Sequence, residues 1–199
     1  GREFVLRVLQ SLIRAIESGF TGRERIGVQG PQPRRIRALP GAGPFDEIPQ
    51  GREMVQGNRG NRIAGCLVGL HYHLHQADYW YVPFGHARVV LHDLRQGSPT
   101  DGATHVLDLG EVDGGANNHL GVFIPPGVAH GFASLSDMAI TYLVDSYYNP
   151  ADELGVAWND PAIDADWGLT DPILSNRDQT NPLRSEIEPM WQPHYQLRP

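Results

Sequence analysis

Gly65-Cys-Leu-Val-Gly-Leu-His71-Tyr-His73-Leu-His-Gln-Ala-Asp78-Tyr-Trp-Tyr-Val-Pro-Phe-Gly85 is the stretch on which the reading of this chain turns. Successive side chains on a strand point to opposite faces, so His71 and His73, two apart, leave the same face. Asp78 follows His73 after four residues, and glycines close both ends of the stretch. Imidazoles with a carboxylate are a common ligand set for a divalent metal that keeps open positions. A second stretch, Gly121-Val-Phe-Ile-Pro-Pro-Gly-Val-Ala-His130-Gly-Phe, supplies one more imidazole. Pro125, Pro126 and Gly127 turn the chain there, and His130 starts the next strand. Together the residues nominate a metal held by His71, His73, Asp78 and His130. The plainer reading is four ordinary polar residues near a barrel mouth.

Outward from these motifs, short apolar runs recur between Gly and Pro breaks, at 62–68, 70–74, 79–84, 87–94, 104–109, 120–124, 131–135 and 138–144. Many short strands with turn punctuation predict an antiparallel all-β sandwich or barrel. In the last run Met138, Ile140, Tyr142 and Val144 share one face, so parity sends Tyr142 inward with its apolar neighbours. Before the barrel, residues 1–28 contain an amphipathic helix, with Leu6, Leu9, Ile13 and Ile16 at helical spacing. Residues 29–52 form an arm or linker, since Pro31, Pro33, Pro40 and Pro44 exclude a continuous helix. The barrel domain with its irregular C-terminal cover runs over 53–185 and a tail over 186–199, where Trp191 and Tyr195 are expected to pack down on the body.

Composition narrows the function classes. The 199 residues suffice for one domain with a proper core. The net charge of -7 argues against nucleic-acid binding, which needs a basic face. All 16 basic residues are Arg, so chemistry based on lysine is absent. Cys66 is the single cysteine, which rules out an intramolecular disulfide and fits a reducing, cytoplasmic setting. No apolar run is long enough to cross a bilayer, and no phosphate loop or dinucleotide fingerprint indicates a nucleotide cofactor. The expected partner is a small-molecule substrate.

The two histidine motifs, in order, resemble those of the cupin superfamily, with Asp78 where Glu is usual. From about Val55 to Leu183 the chain also resembles the dTDP-4-dehydrorhamnose 3,5-epimerase family of sugar-nucleotide epimerases. The stretches that carry this are Gly-Leu-His-Tyr at 69–72, Asp-Leu-Arg-Gln-Gly-Ser-Pro-Thr at 93–100, Ile-Pro-Pro-Gly-Val-Ala-His-Gly-Phe at 124–132, Asp-Ser-Tyr-Tyr-Asn-Pro at 145–150, Trp-Asn-Asp-Pro at 158–161 and Ile-Leu-Ser-Asn-Arg-Asp at 173–178. The resemblance implies a cupin-type jelly roll, a homodimer and an isomerase. It makes His71 the base that removes a proton next to a ketone, Asp178 the group that orients it, and Tyr142 the acid on the other face. That division is chemically sensible, since epimerisation beside a carbonyl needs a base, an acid and a stabilised enolate.

The departures from the family are coordinated. Val68 stands where the family has Arg, His73 where it has Gln, and a shortened segment presents Asp78 where a Lys would support the oxyanion. Positive charge expected to meet a diphosphate is lost. The family is ordinarily metal-free, yet these changes produce metal-cupin spacing. The leading expectation is therefore an epimerase or isomerase assisted by a divalent ion (Fe, Mn, Ni or Zn), which replaces the missing Lys as Lewis acid. The alternative is an iron-dependent oxygenase using the same ligands. A non-catalytic binding barrel fits less well with so many His, Asp and Tyr residues at motif positions.

Overall fold

Strand β4, His86–Asp93, shows how the chain builds its layers. Ala87, Val89 and Leu91 face one core while Val90 faces another, so the strand is buried on both sides. A computed structural model describes residues 53–195. The expected helix within 1–28 and the whole of the arm, 29–52, lie outside the described residues. The other strands are β1 Gln56–Arg62, β2 Cys66–Tyr72, β3 Asp78–Phe84, β5 Thr104–Gly110, β6 Gly121–Ile124, β7 Val128–Ser134, β8 Met138–Val144, β9 Leu154–Gly155 and β10 Ile173–Leu174. One sheet runs β1-β8-β3-β6; the other runs β10-β2-β7-β4-β5, with β9 also on β2. All pairings are antiparallel except the short β10 beside β2. This is the all-β, cupin-type jelly roll expected from the motifs.

Between the sheets lies an apolar core in which Trp80, Val89, Leu91, Phe132 and Ile140 pack together. A second core covers the outer face of the larger sheet, where the C-terminal segment lays Val156, Ile163, Trp167 and Ile187 over Leu70, Tyr72 and Val90. Coverage on both faces explains why every residue of β7 is buried. The tail packs down too. Tyr72 donates its hydroxyl to the Trp191 carbonyl at 3.1 Å, and the Tyr195 ring lies 5.3 Å from the Arg95 guanidinium carbon.

Two glycines set the spacing at the site. A Cβ on Gly69, whose φ is +118°, would sit 2.8 Å from the Gly131 Cα and 2.9 Å from the His130 carbonyl oxygen. A Cβ on Gly131 would sit 2.6 Å from the Val68 carbonyl oxygen. Only glycine lets β2 and β7 come this close. The pairing is irregular between Val68 and His71, and beyond that irregularity His71 lies opposite His130.

Candidate active site between the sheets

The larger sheet contributes the imidazoles. His71 and His130 are cross-strand partners with ring centroids 4.2 Å apart. His73, just past the end of β2, lies 5.6 Å from each of them, centroid to centroid. A carbonyl oxygen can only accept, so His73 donates Nδ1–H to the Asp152 carbonyl at 2.6 Å. His130 likewise donates Nδ1–H to the Val128 carbonyl at 2.8 Å. Both rings thus carry their lone pair on Nε2; that of His73 accepts from Gln76 Nε2 at 3.2 Å, and that of His130 has no partner. The Asp152 carboxylate holds the turn after His73, accepting from the Leu74 and His75 amides at 2.7 and 3.2 Å. The Nδ1 of His71 and the Nε2 of His130 are buried without a hydrogen-bond partner.

Burial, then the neighbouring His130, His73 and Arg177, push the His71 pKa well below its ordinary value. Burial also lowers His130, to about 4, against the opposing pull of Asp78. Both imidazoles are therefore neutral near pH 7, and each has a lone pair able to take a proton or a metal.

The smaller sheet faces them. Asp78 begins β3 and is buried, 3.9 Å from His130 Nε2. Its Oδ1 accepts from Gln76 Nε2 at 2.8 Å and its Oδ2 from Trp80 Nε1 at 3.0 Å. Gln76 Nε2 also lies 3.2 Å from His73 Nε2, tying carboxylate to imidazole. The Trp80 ring lies 6.0 Å from His71 and 5.0 Å from His130, centroid to centroid. Tyr142 is the cross-strand partner of Trp80 on one side and of Asn58 on the other, so all three side chains share the inward face. Burial, with Asp78 and Glu153 nearby, raises the Tyr142 pKa above 10.0, partly offset by Arg62. The phenol remains protonated and can donate.

The ligand atoms of His71, His73 and His130 all lie within 4.8 Å of one another. That group contains the three imidazoles; Asp78 stands beside it with both oxygens engaged. Asp178 is buried but bonded elsewhere, accepting from Ser175 Oγ at 2.8 Å and lying 3.3 Å from Arg177 Nε. Since the His71 Nδ1 has no partner, the imidazole–carboxylate contact that the resemblance implies is not formed. Asp178 instead lines a cleft of about 290 Å³ with Arg62, Cys66, Val68, Ser175 and Arg177. Sequence reasoning missed Gln76 and Trp80, although period-two parity with Asp78 was available. It also missed Asp152, which no local signal marks.

Comparison with known proteins agrees with this geometry. The model of the family dTDP-4-dehydrorhamnose 3,5-epimerase matches residues 43–186. The chain is 41% identical over 107 residues to a spore coat polysaccharide biosynthesis protein of Bacillus subtilis, covering 52% of this chain and 68% of that one. It is 40% identical over 129 residues to a dTDP-4-dehydrorhamnose 3,5-epimerase of Pseudomonas aeruginosa, covering 63% and 68%. A dTDP-6-deoxy-D-glucose-3,5-epimerase from Legionella pneumophila, solved with dTDP-4-keto-L-rhamnose, superposes with a TM-score of 0.66 at 32% identity, covering 74% of this chain and 78% of that one. With motifs, jelly roll and the imidazole–tyrosine cavity in agreement, the chain belongs to the dTDP-4-dehydrorhamnose 3,5-epimerase family.

Proposed function

We propose that the chain epimerises a carbon next to the ketone of a nucleotide-linked 4-keto sugar. The observation that carries this is the pairing of a neutral imidazole, His71, on one sheet with a protonated phenol, Tyr142, on the opposing sheet. His71 takes the proton from one face of the sugar, the electrons pass to the ketone oxygen, and Tyr142 returns a proton to the other face. Trp80 forms an apolar wall beside the imidazoles and limits water. Asp178 acts on the cleft at the mouth, where it fixes Arg177, rather than on His71 directly. With Val68 in place of the family's Arg, Arg62 and Arg177 in that cleft are the cations available to a diphosphate. The same reading carries a homodimer and a cytoplasmic location. Among the described residues no helix is long and apolar enough to cross a membrane.

The test is the Tyr142→Phe variant with dTDP-4-keto-L-rhamnose in D2O, followed by proton NMR of the sugar. The variant is expected to lose the ability to invert the centre while still exchanging the proton that His71 removes. Inversion at the wild-type rate would remove Tyr142 from the mechanism.

The oxygenase reading has one specific observation in its favour, the convergence of three imidazoles. Oxygen uptake by the iron-loaded protein in the presence of substrate would decide for it, and its absence against it.

A further inference from the structure

We propose that Glu153 sets the ligand selectivity of the cleft at the cavity mouth, by holding Arg177 in an ion pair that the substrate's diphosphate has to displace. This deepens the proposed function and rests on its reading of the substrate as a nucleotide-linked sugar. Arg177 lines the cleft and is half-exposed, with its charge shared between two carboxylates. Its Nη1 donates to Glu153 Oε1 at 2.9 Å, and its Nη2 lies 3.3 Å from Asp178 Oδ1.

The two carboxylates are held differently. Asp178 is buried; its Oδ2 accepts from Ser175 Oγ at 2.8 Å, and that Oγ accepts in turn from the Asp178 amide at 3.2 Å. Asp178 is a fixed part of the wall. Glu153 is partly exposed, and among the described residues its carboxylate hydrogen-bonds to Arg177 alone. It is the partner that can leave. Glu153 immediately precedes β9, whose Gly155 pairs with His71. Burial is the main cause of the pKa shifts at both proton-transfer groups, but Arg177 adds to the lowering at His71 and Glu153 to the raising at Tyr142. The ion pair therefore stands close to both of them.

With Arg177 neutralised, the cleft offers an arriving anion Arg62 alone. A diphosphate brings two negative charges and paired oxygens that match the guanidinium fork, so it can take the place of Glu153. A free keto sugar brings neither and leaves the pair closed. An exposed ion pair is weak enough to be exchanged in this way. Selection then comes from a competitor built into the site, since a ligand that cannot replace the carboxylate gains nothing from Arg177.

The test is calorimetric titration of the full chain with dTDP at fixed ionic strength. Glu153→Gln should bind about threefold more tightly than wild type, the scale of an exposed ion pair. Arg177→Gln should bind about tenfold more weakly. The double variant separates competition from a general charge effect, because the gain from Glu153→Gln should vanish once Arg177 is gone. A gain that persists without Arg177 overturns the inference, as do equal affinities of Glu153→Gln and wild type, or no binding of dTDP to either. Should Glu153→Gln unfold, the Glu153 carboxyl ¹³C resonance of the wild type reads the same event. It should shift on adding dTDP, and a resonance that stays in place overturns the displacement. Deuterium exchange into dTDP-4-keto-L-rhamnose, run on the same samples, tests the proton-transfer proposal separately. Exchange without the Glu153 effect sinks the present inference and leaves that proposal standing, and the Glu153 effect without exchange does the reverse.

Discussion

Two buried polar clusters, one at the end of β4 and one against its neighbour β7, are built in opposite ways. At one end of β4, Asp93 is fully buried and saturated. Its oxygens accept from the Arg95 amide and Nε at 2.9 and 2.8 Å, from Arg95 Nη2 at 2.8 Å, and from Ser98 and Thr100 hydroxyls at 2.7 Å each. Burial alone would raise its pKa; these bonds outweigh burial and hold it at about 2. Asp93 pairs with Val128, and His130 lies two residues further along the same strand. There two buried ring nitrogens, the His71 Nδ1 and the His130 Nε2, have no partner. A polar cluster closed on itself stabilises the fold, while one left open lowers stability and keeps its lone pairs for something that arrives. Both clusters occupy motifs shared with the family, so motif membership alone does not separate scaffold from chemistry. The hydrogen bonds do.

The sharpest way to break this contrast is Asp93→Ala. It strands a buried guanidinium and two hydroxyls, and should cost about 3–5 kcal/mol, seen as a large fall in denaturation midpoint. A variant as stable as wild type would show that the closed network is not structural. In the open cluster, Tyr142→Phe should cut inversion about a hundredfold, equivalent to roughly 2.7 kcal/mol of barrel-independent barrier, with the midpoint almost unchanged. A comparable loss of stability would mean that the phenol belongs to the scaffold. Gly131→Ala falls between the two regions. Its Cβ has no room against Val68 on β2, so stability should drop by about 1–3 kcal/mol. The separation of His71 from His130 should change with it, lowering turnover at saturating substrate.

The smallest effect concerns His92, a fully buried imidazole outside both clusters whose Nδ1 pairs with Thr104 Oγ1 at 2.9 Å. Burial, reinforced by Arg184 and partly offset by Asp93, Asp160 and Asp101, lowers its pKa from 6.5 to about 4. The folded state binds its proton less readily than the unfolded state. Stability due to His92 is therefore full above pH 6.5 and is lost as pH falls toward 4. His92→Gln should flatten that part of the stability profile, measured by denaturation at several pH values; an unchanged slope would contradict the assignment.

Much of this was legible in the sequence, where the signals were local. The alternation over 138–144 matches β8, Met138–Val144, and the parity that turned Tyr142 inward holds in the structure. Runs 62–68 and 70–74 instead resolve into one strand, Cys66–Tyr72, preceded by a turn. Strand β1, Gln-Gly-Asn-Arg-Gly-Asn-Arg, was invisible because it has no apolar residue; it exists through its continuous pairing with β8. At the site, motif spacing located His71, His73, Asp78 and His130. It said nothing of Asp152, which reaches His73 across 79 positions. Nor could it tell that Asp178 would bond Ser175 and lean on Arg177. Those partners depend on how the C-terminal cover folds back, which no periodicity encodes.

The central claim is that proton transfer occurs in the open imidazole cavity. The direct measurement is deuterium entry into dTDP-4-keto-L-rhamnose in D2O, comparing wild type with His71→Asn at matched folded concentration. The wild type should place deuterium on a carbon next to the ketone. The variant should do so at least a hundredfold more slowly, with its denaturation midpoint close to wild type. Equal rates of exchange in the two proteins would contradict the account.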